Sequence, residues 1–281
     1  MKGCTLGLYE KSMPNELSWK EKLTAGQKAG FDALEISVDE TDTRLARLNW
    51  TAQERKELLQ LTRDVGFYIN TMCLSGHRKY PLGSGIPEIE ARSMEIMEKA
   101  IELSYDLGIR IIQLAGYDIY YNEVSTPSTR ERFFCNLQKS AEMAASRGVI
   151  LALETMENDF LNTIEKAMYY VDSIASPYLK VYPDMGNVTN ATDHVAKDIR
   201  SGKGHIVAAH LKETVPNVFR DMKFGEGRVD FKMVTDVLKS QGVTMYTAEF
   251  WYDGKENWEQ VLRQSHDYLR PYLDKNQRAV N

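Results

Sequence analysis

The chain has 281 residues, with 40 Asp and Glu against 35 Lys and Arg and a net charge of −5. That balance, with no basic block, argues against a nucleic-acid surface, and no apolar run approaches the ~20 residues that span a bilayer, so a soluble, cytoplasmic protein is expected. Three cysteines, Cys4, Cys73 and Cys135, without CxxC spacing disfavour a disulfide framework or a thiolate zinc site.

Strand-like and helix-like segments alternate along the chain. An apolar run at 6–9 precedes a helix over 19–29, and a strand at 33–37 precedes a polar, acidic loop over 38–50 that is long enough to cover a site. Thr51 and Glu54 have capping-box spacing and open a second helix, ahead of a third strand at 68–74. A helix over 88–107, with Ile89, Met94, Met97, Ile101 and Leu107 apolar, is closed by Gly108 before strand four at 109–115. Ser128 and Glu131, just after Pro127, predict the start of the helix that runs to Gly148 and strand five. Helices over 163–174 and 194–201 separate strands five, six and seven, and helices over 231–240 and 258–268 end the series. Because right-handed crossovers join parallel strands, eight such units predict a closed (β/α)8 TIM barrel as a single domain over 1–281, with an open doubly wound sheet as the alternative.

Four strands end in a polar residue that can bind a cation: 149–153 in Glu154, 179–183 in Asp184, 206–209 in His210 and 244–248 in Glu249. A closed barrel brings strand ends together at one mouth, where catalytic residues of this architecture lie. Counting back in twos places Ala152, Tyr182, Ala208 and Thr247 on the same inner face, and Leu151, Leu153, Val207, Ala209 and Ala248 against the helices. Glu35 ends its strand two residues early and is expected to support the site rather than to bind the ion. His205 has the opposite parity to His210 and reads as structural, Lys180 belongs to the opposite end of the barrel, and His194 and His266 read as surface residues on helices.

Carboxylates with one imidazole and no thiolate suit one divalent ion such as Mn, Co, Zn or Mg. A sugar chelating that ion through a carbonyl and a neighbouring hydroxyl would have an acidic hydrogen on the adjacent carbon. Glu154 and Glu249, expected on opposite sides of the mouth, could take a proton from one face and return one to the other, through an enediolate, which is epimerisation. A single base moving the proton between neighbouring carbons would make the same site an aldose–ketose isomerase. A barrel endonuclease needs many more histidines than five, and a non-catalytic sugar-binding barrel leaves the paired glutamates without a role.

The segments LGLYEK (6–11), EISVDETDTRLARLNW (35–50), CLSGHRKYPLGS (73–84), IQLAGYDIYY (112–121), YPDMGN (182–187), HLKET (210–214) and FGEG (224–227) resemble the bacterial L-ribulose-5-phosphate (L-xylulose-5-phosphate) 3-epimerases, which belong to the xylose-isomerase-like barrels. The resemblance covers nearly the whole chain. It implies an isomerase that interconverts L-xylulose 5-phosphate and L-ribulose 5-phosphate in L-ascorbate utilisation, with Glu154, Asp184, His210 and Glu249 as metal ligands and the two glutamates as the proton-transfer pair. Where relatives acting on unphosphorylated ketoses carry His three residues after the metal Asp, this chain has Asn187, whose amide can still bond a sugar oxygen. Tyr9 and Ser75 are further candidates for the sugar, and His77, Arg78, Lys212 and Arg220 for the phosphate. A homo-oligomer, a dimer, is expected, with a small-molecule sugar phosphate as partner.

Overall fold

Short apolar runs become parallel strands here because each is covered by a helix on one side and a filled lumen on the other. A computed structural model of the protein describes residues 3–274. Its strands are β1 (Thr5–Tyr9), β2 (Ala33–Val38), β3 (Tyr68–Leu74), β4 (Ile111–Ala115), β5 (Ile150–Glu154), β6 (Leu179–Val181), β7 (Ala209–Leu211) and β8 (Met245–Ala248). The helices are α1 (Trp19–Lys28), α2 (Asp42–Leu45), α3 (Ala52–Val65), α4 (Pro87–Leu107), α5 (Pro127–Arg147), α6 (Ile164–Ile174), α7 (Met185–Ala191), α8 (Val195–Ser201), α9 (Phe231–Ser240) and α10 (Trp258–Leu273).

The strands form one sheet in the order β6-β5-β4-β3-β2-β1-β8-β7. Single parallel bridges, Val181 with Ile206 and Asp184 with His210, join its two edges. Backbone bonds from Val207 N to Val181 O (3.0 Å) and from His210 N to Pro183 O (2.9 Å) complete the seam. The sheet is therefore a closed barrel, and the doubly wound alternative is excluded.

The expected alternation holds with one exception. Ala152, Tyr182 and Ala208 meet Ile111 inside the lumen, and the Thr247 hydroxyl lies 2.7 Å from that of Tyr182. Leu151, Leu153, Ala209 and Ala248 belong to the large core beneath the helices. Val207 instead packs on the lumen cluster, because the backbone ahead of β7 makes only an isolated bridge at Ile206 and carries no regular pleat.

Three further expectations need correction. The short helix α7 stands between Asp184 and α8, where none was predicted. The capping box of α5 is Thr126 with Thr129 rather than Ser128 with Glu131, because Pro127 takes the first helical turn and the cap must precede it. His266 is half-buried, its ring edge-on to Phe31 at 5.4 Å, rather than a surface residue. Thr51 with Glu54 caps α3 as read, and Gly108 and Gly148 end α4 and α5 at φ 74° and 65°, a left-handed turn that favours glycine.

The loop over 38–50 is folded and pinned down. It contains α2 and a 3-10 turn, Ala46–Asn49, whose Arg47 reaches a fully buried Glu10 that sequence reading passed over. Arg47 donates to Glu10 Oε2 at 2.5 Å and Oε1 at 2.7 Å, Lys22 to Oε1 at 2.7 Å and the Ser37 amide to Oε2 at 2.9 Å. The guanidinium also covers the Trp19 ring at 4.9 Å. Burial works to raise the Glu10 pKa, but Arg47 and Lys22 hold it down at about 2. Breaking one side of such a buried cluster costs about 3–5 kcal/mol, so Glu10→Gln should lower unfolding stability by about that much in a denaturant titration. Since the folded pKa is depressed, the contribution is present at neutral pH and is lost as pH falls from about 4.3 towards 2. Wild type should therefore lose stability relative to Glu10→Gln over that interval, and a constant difference would count against the ion cluster.

Candidate active site and metal centre

Four buried side chains meet at the C-terminal mouth of the barrel: Glu154 at the end of β5, Asp184 between β6 and α7, His210 in β7 and Glu249 directly after β8. Each offers a ligand atom, and these atoms all lie within 4.8 Å of one another. His210 Nδ1 is 2.9 Å from Glu154 Oε1 and 3.5 Å from Glu249 Oε2. Glu154 and Glu249 flank this imidazole from two sides, with β6 and β7 between their strands.

The group can hold a metal ion, and its polar atoms fit that use. Asp184 Oδ2 and Glu249 Oε2 are buried without a hydrogen-bonding partner. Lys212 Nζ stands 3.2 and 3.6 Å from these two oxygens, close enough for charge attraction although neither contact has hydrogen-bond geometry. Two other acceptors are occupied: the Gln113 amide donates to Glu154 Oε2, and the Asn187 backbone N–H donates to Asp184 Oδ1 at 2.6 Å, since Asp184 caps α7.

The electrostatics follow from removing like charges from water. Burial raises the pKa of Glu154, and the Glu249 charge adds to this against His210 and Lys212. Burial raises Asp184 strongly, with Lys212 opposing. Glu249 goes the other way, because Lys212 and His210 outweigh its burial. Burial disfavours the charges of Lys212 and His210, but the surrounding carboxylates raise both pKa values.

A cleft opens over this cluster. Tyr9, Ser75, Arg78, Asn187, Lys212 and Arg220 all line it beside Glu154 and Glu249. Lys212, weighed as a phosphate anchor, is instead buried among the carboxylates and donates to Asn187 Oδ1 at 2.9 Å. His77 is turned away from the cleft: its Nε2 lies 3.0 Å from the Ser93 carbonyl of α4, and burial pushes its pKa down to about 4. One residue on, Arg78 reaches the cleft with its guanidinium over the rings of Tyr117 (5.7 Å) and Tyr120 (5.1 Å). Those hydroxyls donate to Glu157 at 2.7 and 3.3 Å. Arg220 is exposed and lies over Trp251 at 5.2 Å.

Sequence reading missed Lys11, Gln113, Glu157 and Trp251. Gln113 was reachable by strand parity, as a lone polar residue at an inner position of β4, whereas Lys11 and Trp251 lie beyond the ends of β1 and β8, where parity no longer applies. Glu157 lies in a loop and carries no periodic signal. His205 sits at the far end of the barrel, 3.3 Å from Lys180 Nζ and away from the ligand cluster, and His194 is exposed.

The model of the xylose isomerase-like TIM barrel family matches residues 23–272. The chain is 42% identical over 271 residues, 96% of its length and 95% of the relative's, to an L-ribulose-5-phosphate 3-epimerase UlaE of Escherichia coli. Among solved structures it resembles a D-psicose 3-epimerase from Clostridium cellulolyticum H10 (TM-score 0.82, 18% identity, 96% of this chain and 100% of that one). It also resembles an L-ribulose 3-epimerase (TM-score 0.77, 21% identity, 96% and 94%). Among the described residues no helix is long and apolar enough to cross a membrane. With a closed barrel, four potential ligands at its mouth and this similarity over nearly its whole length, the chain belongs to the L-ribulose-5-phosphate 3-epimerase family of xylose isomerase-like TIM barrels and is an isomerase.

Proposed function

We propose that this isomerase interconverts L-ribulose 5-phosphate and L-xylulose 5-phosphate in the cytoplasm by inverting C3, as a step of L-ascorbate and pentose breakdown. The observation that carries this reading is the convergence of two buried glutamates, Glu154 and Glu249, on one point of the barrel mouth, in a chain so similar to an L-ribulose-5-phosphate 3-epimerase. One glutamate removes the C3 proton and the other returns a proton to the opposite face, so the carbon is inverted without oxidation or hydrolysis. An ion such as Mn, Co, Zn or Mg, held by Glu154, Asp184, His210 and Glu249, would supply positive charge that acidifies C3–H and offsets the charge developing on the ketose oxygens. Lys212 tempers the repulsion between Asp184 and Glu249. Asn187, fixed by Lys212 and by its bond to the Thr155 carbonyl at 2.8 Å, keeps one N–H and one lone pair for a sugar oxygen.

Phosphate at C5 needs a cation off the metal cluster but on the same cleft. Arg78 meets this requirement: its Nε is buried without a partner, and its ring contacts with Tyr117 and Tyr120 hold the guanidinium in place. Arg220 offers a second charge from the β7–α9 loop.

Turnover in deuterated water tests the reaction class. Deuterium at C3 with inversion is expected, whereas label at C1 would replace epimerisation with aldose–ketose isomerisation. For the phosphate, Arg78→Ala should raise KM for the phosphorylated ketose about tenfold, equivalent to about 1.4 kcal/mol, and leave any turnover of unphosphorylated L-ribulose nearly unchanged. Equal losses on both substrates would place the phosphate elsewhere.

A further inference from the structure

We infer that Glu35, on β2, is a positioning residue that fixes which nitrogen of His210 faces the metal centre. The inference rests on the reading of His210 as a ligand and adds a role that this reading does not contain. Glu35 is fully buried, a costly place for a carboxylate unless each oxygen is engaged. Its Oε1 lies 2.7 Å from His210 Nε2. Its Oε2 accepts from the Thr71 hydroxyl at 2.7 Å and from the Tyr182 hydroxyl at 2.9 Å, and Tyr182 is in turn bonded to Thr247 at 2.7 Å.

A carboxylate held by two hydroxyl donors can only accept from the imidazole, so the ring hydrogen sits on Nε2 and the nitrogen left for a cation is Nδ1. That nitrogen is the one 2.9 Å from Glu154 and 3.5 Å from Glu249. Packing limits the alternative ring flip, because the Tyr182 ring lies 4.7 Å from the imidazole, centroid to centroid. The strand geometry is shaped to the same end. Pairing of β2 with β3 slips by one residue after Leu34, which pairs with Ile69, so that Glu35 pairs with Thr71. In unbroken register Glu35 would face Asn70. The bulge therefore delivers the Thr71 hydroxyl to Glu35, in keeping with bulges that re-aim side chains beside active sites. Outer partners of this kind orient a ligating histidine and raise its basicity, and their loss weakens metal affinity about 10–100-fold.

The test compares Mn2+ affinity, by calorimetric titration of EDTA-stripped protein, and the visible spectrum of the Co2+-loaded protein, in wild type and Glu35→Gln. Affinity should fall about 10–100-fold, with an altered Co2+ spectrum, while the thermal unfolding of loaded samples at saturating Mn2+ remains cooperative. Wild-type affinity and spectrum in Glu35→Gln, with only stability reduced, would show that Glu35 merely braces the barrel and overturn the inference. If Glu35→Gln does not fold, Thr71→Val and Tyr182→Phe each remove one hydroxyl that fixes the carboxylate. Both should weaken Mn2+ binding, and unchanged affinity in both would overturn the inference equally. Failure of wild type itself to bind Mn2+ would instead reject the metal centre.

Discussion

Three carboxylates held within ligand distance of one another in a buried barrel mouth repel strongly, and much of the surrounding structure answers that repulsion. Lys212 sits against Asp184 and Glu249, His210 against Glu154 and Glu249, and amide groups of Gln113 and Asn187 donate to Glu154 Oε2 and Asp184 Oδ1. Even so, Asp184 Oδ2 and Glu249 Oε2 keep unused acceptor capacity. A divalent cation would suit such a set, because it would match the charge that the protein has concentrated there. The same dry surroundings that make the repulsion costly would make each charge effective on a reacting carbon in the proposed epimerisation.

The barrel delivers these groups through strand parity. Parallel strands closed into a ring alternate lumen and helix-facing residues, so a polar residue at the end of an apolar run points to one mouth. That rule makes Glu154, Asp184, His210 and Glu249 legible in the sequence as a group at one mouth. It also explains the inner layer below them, where Ala152, Tyr182, Ala208 and Thr247 sit as expected. It fails at Val207, since parity counts only where a strand is regular. The helix α7 was missed because Met185–Ala191 contains Gly186, Val188 and Thr189, poor helix formers whose conformation is set by the Asp184 cap and by packing.

Other parts of the site were hidden because their partners are remote in sequence. Lys212 looks like any loop lysine until β6 and β7 close the seam and bring it against Asp184. His77 and Arg78 are adjacent, yet the 3-10 turn after β3 sends one beneath α4 and the other over the cleft. Glu10 directly follows β1 just as Glu249 directly follows β8, but its carboxylate is consumed by Arg47 and Lys22, contributed by distant segments. Ligand type and strand position can be read locally, whereas the pairing that decides between a catalytic and a structural charge depends on tertiary closure.

The central claim is that one cation site is built from strand ends β5 to β8, with His210 as its only histidine. It is tested most directly by titrating EDTA-stripped wild type, His210→Ala and His205→Ala with Mn2+. One ion per chain is expected for wild type and for His205→Ala, with binding in His210→Ala weakened far more than in any other histidine variant. Equal weakening in the two variants, or unchanged binding in His210→Ala, would contradict the account.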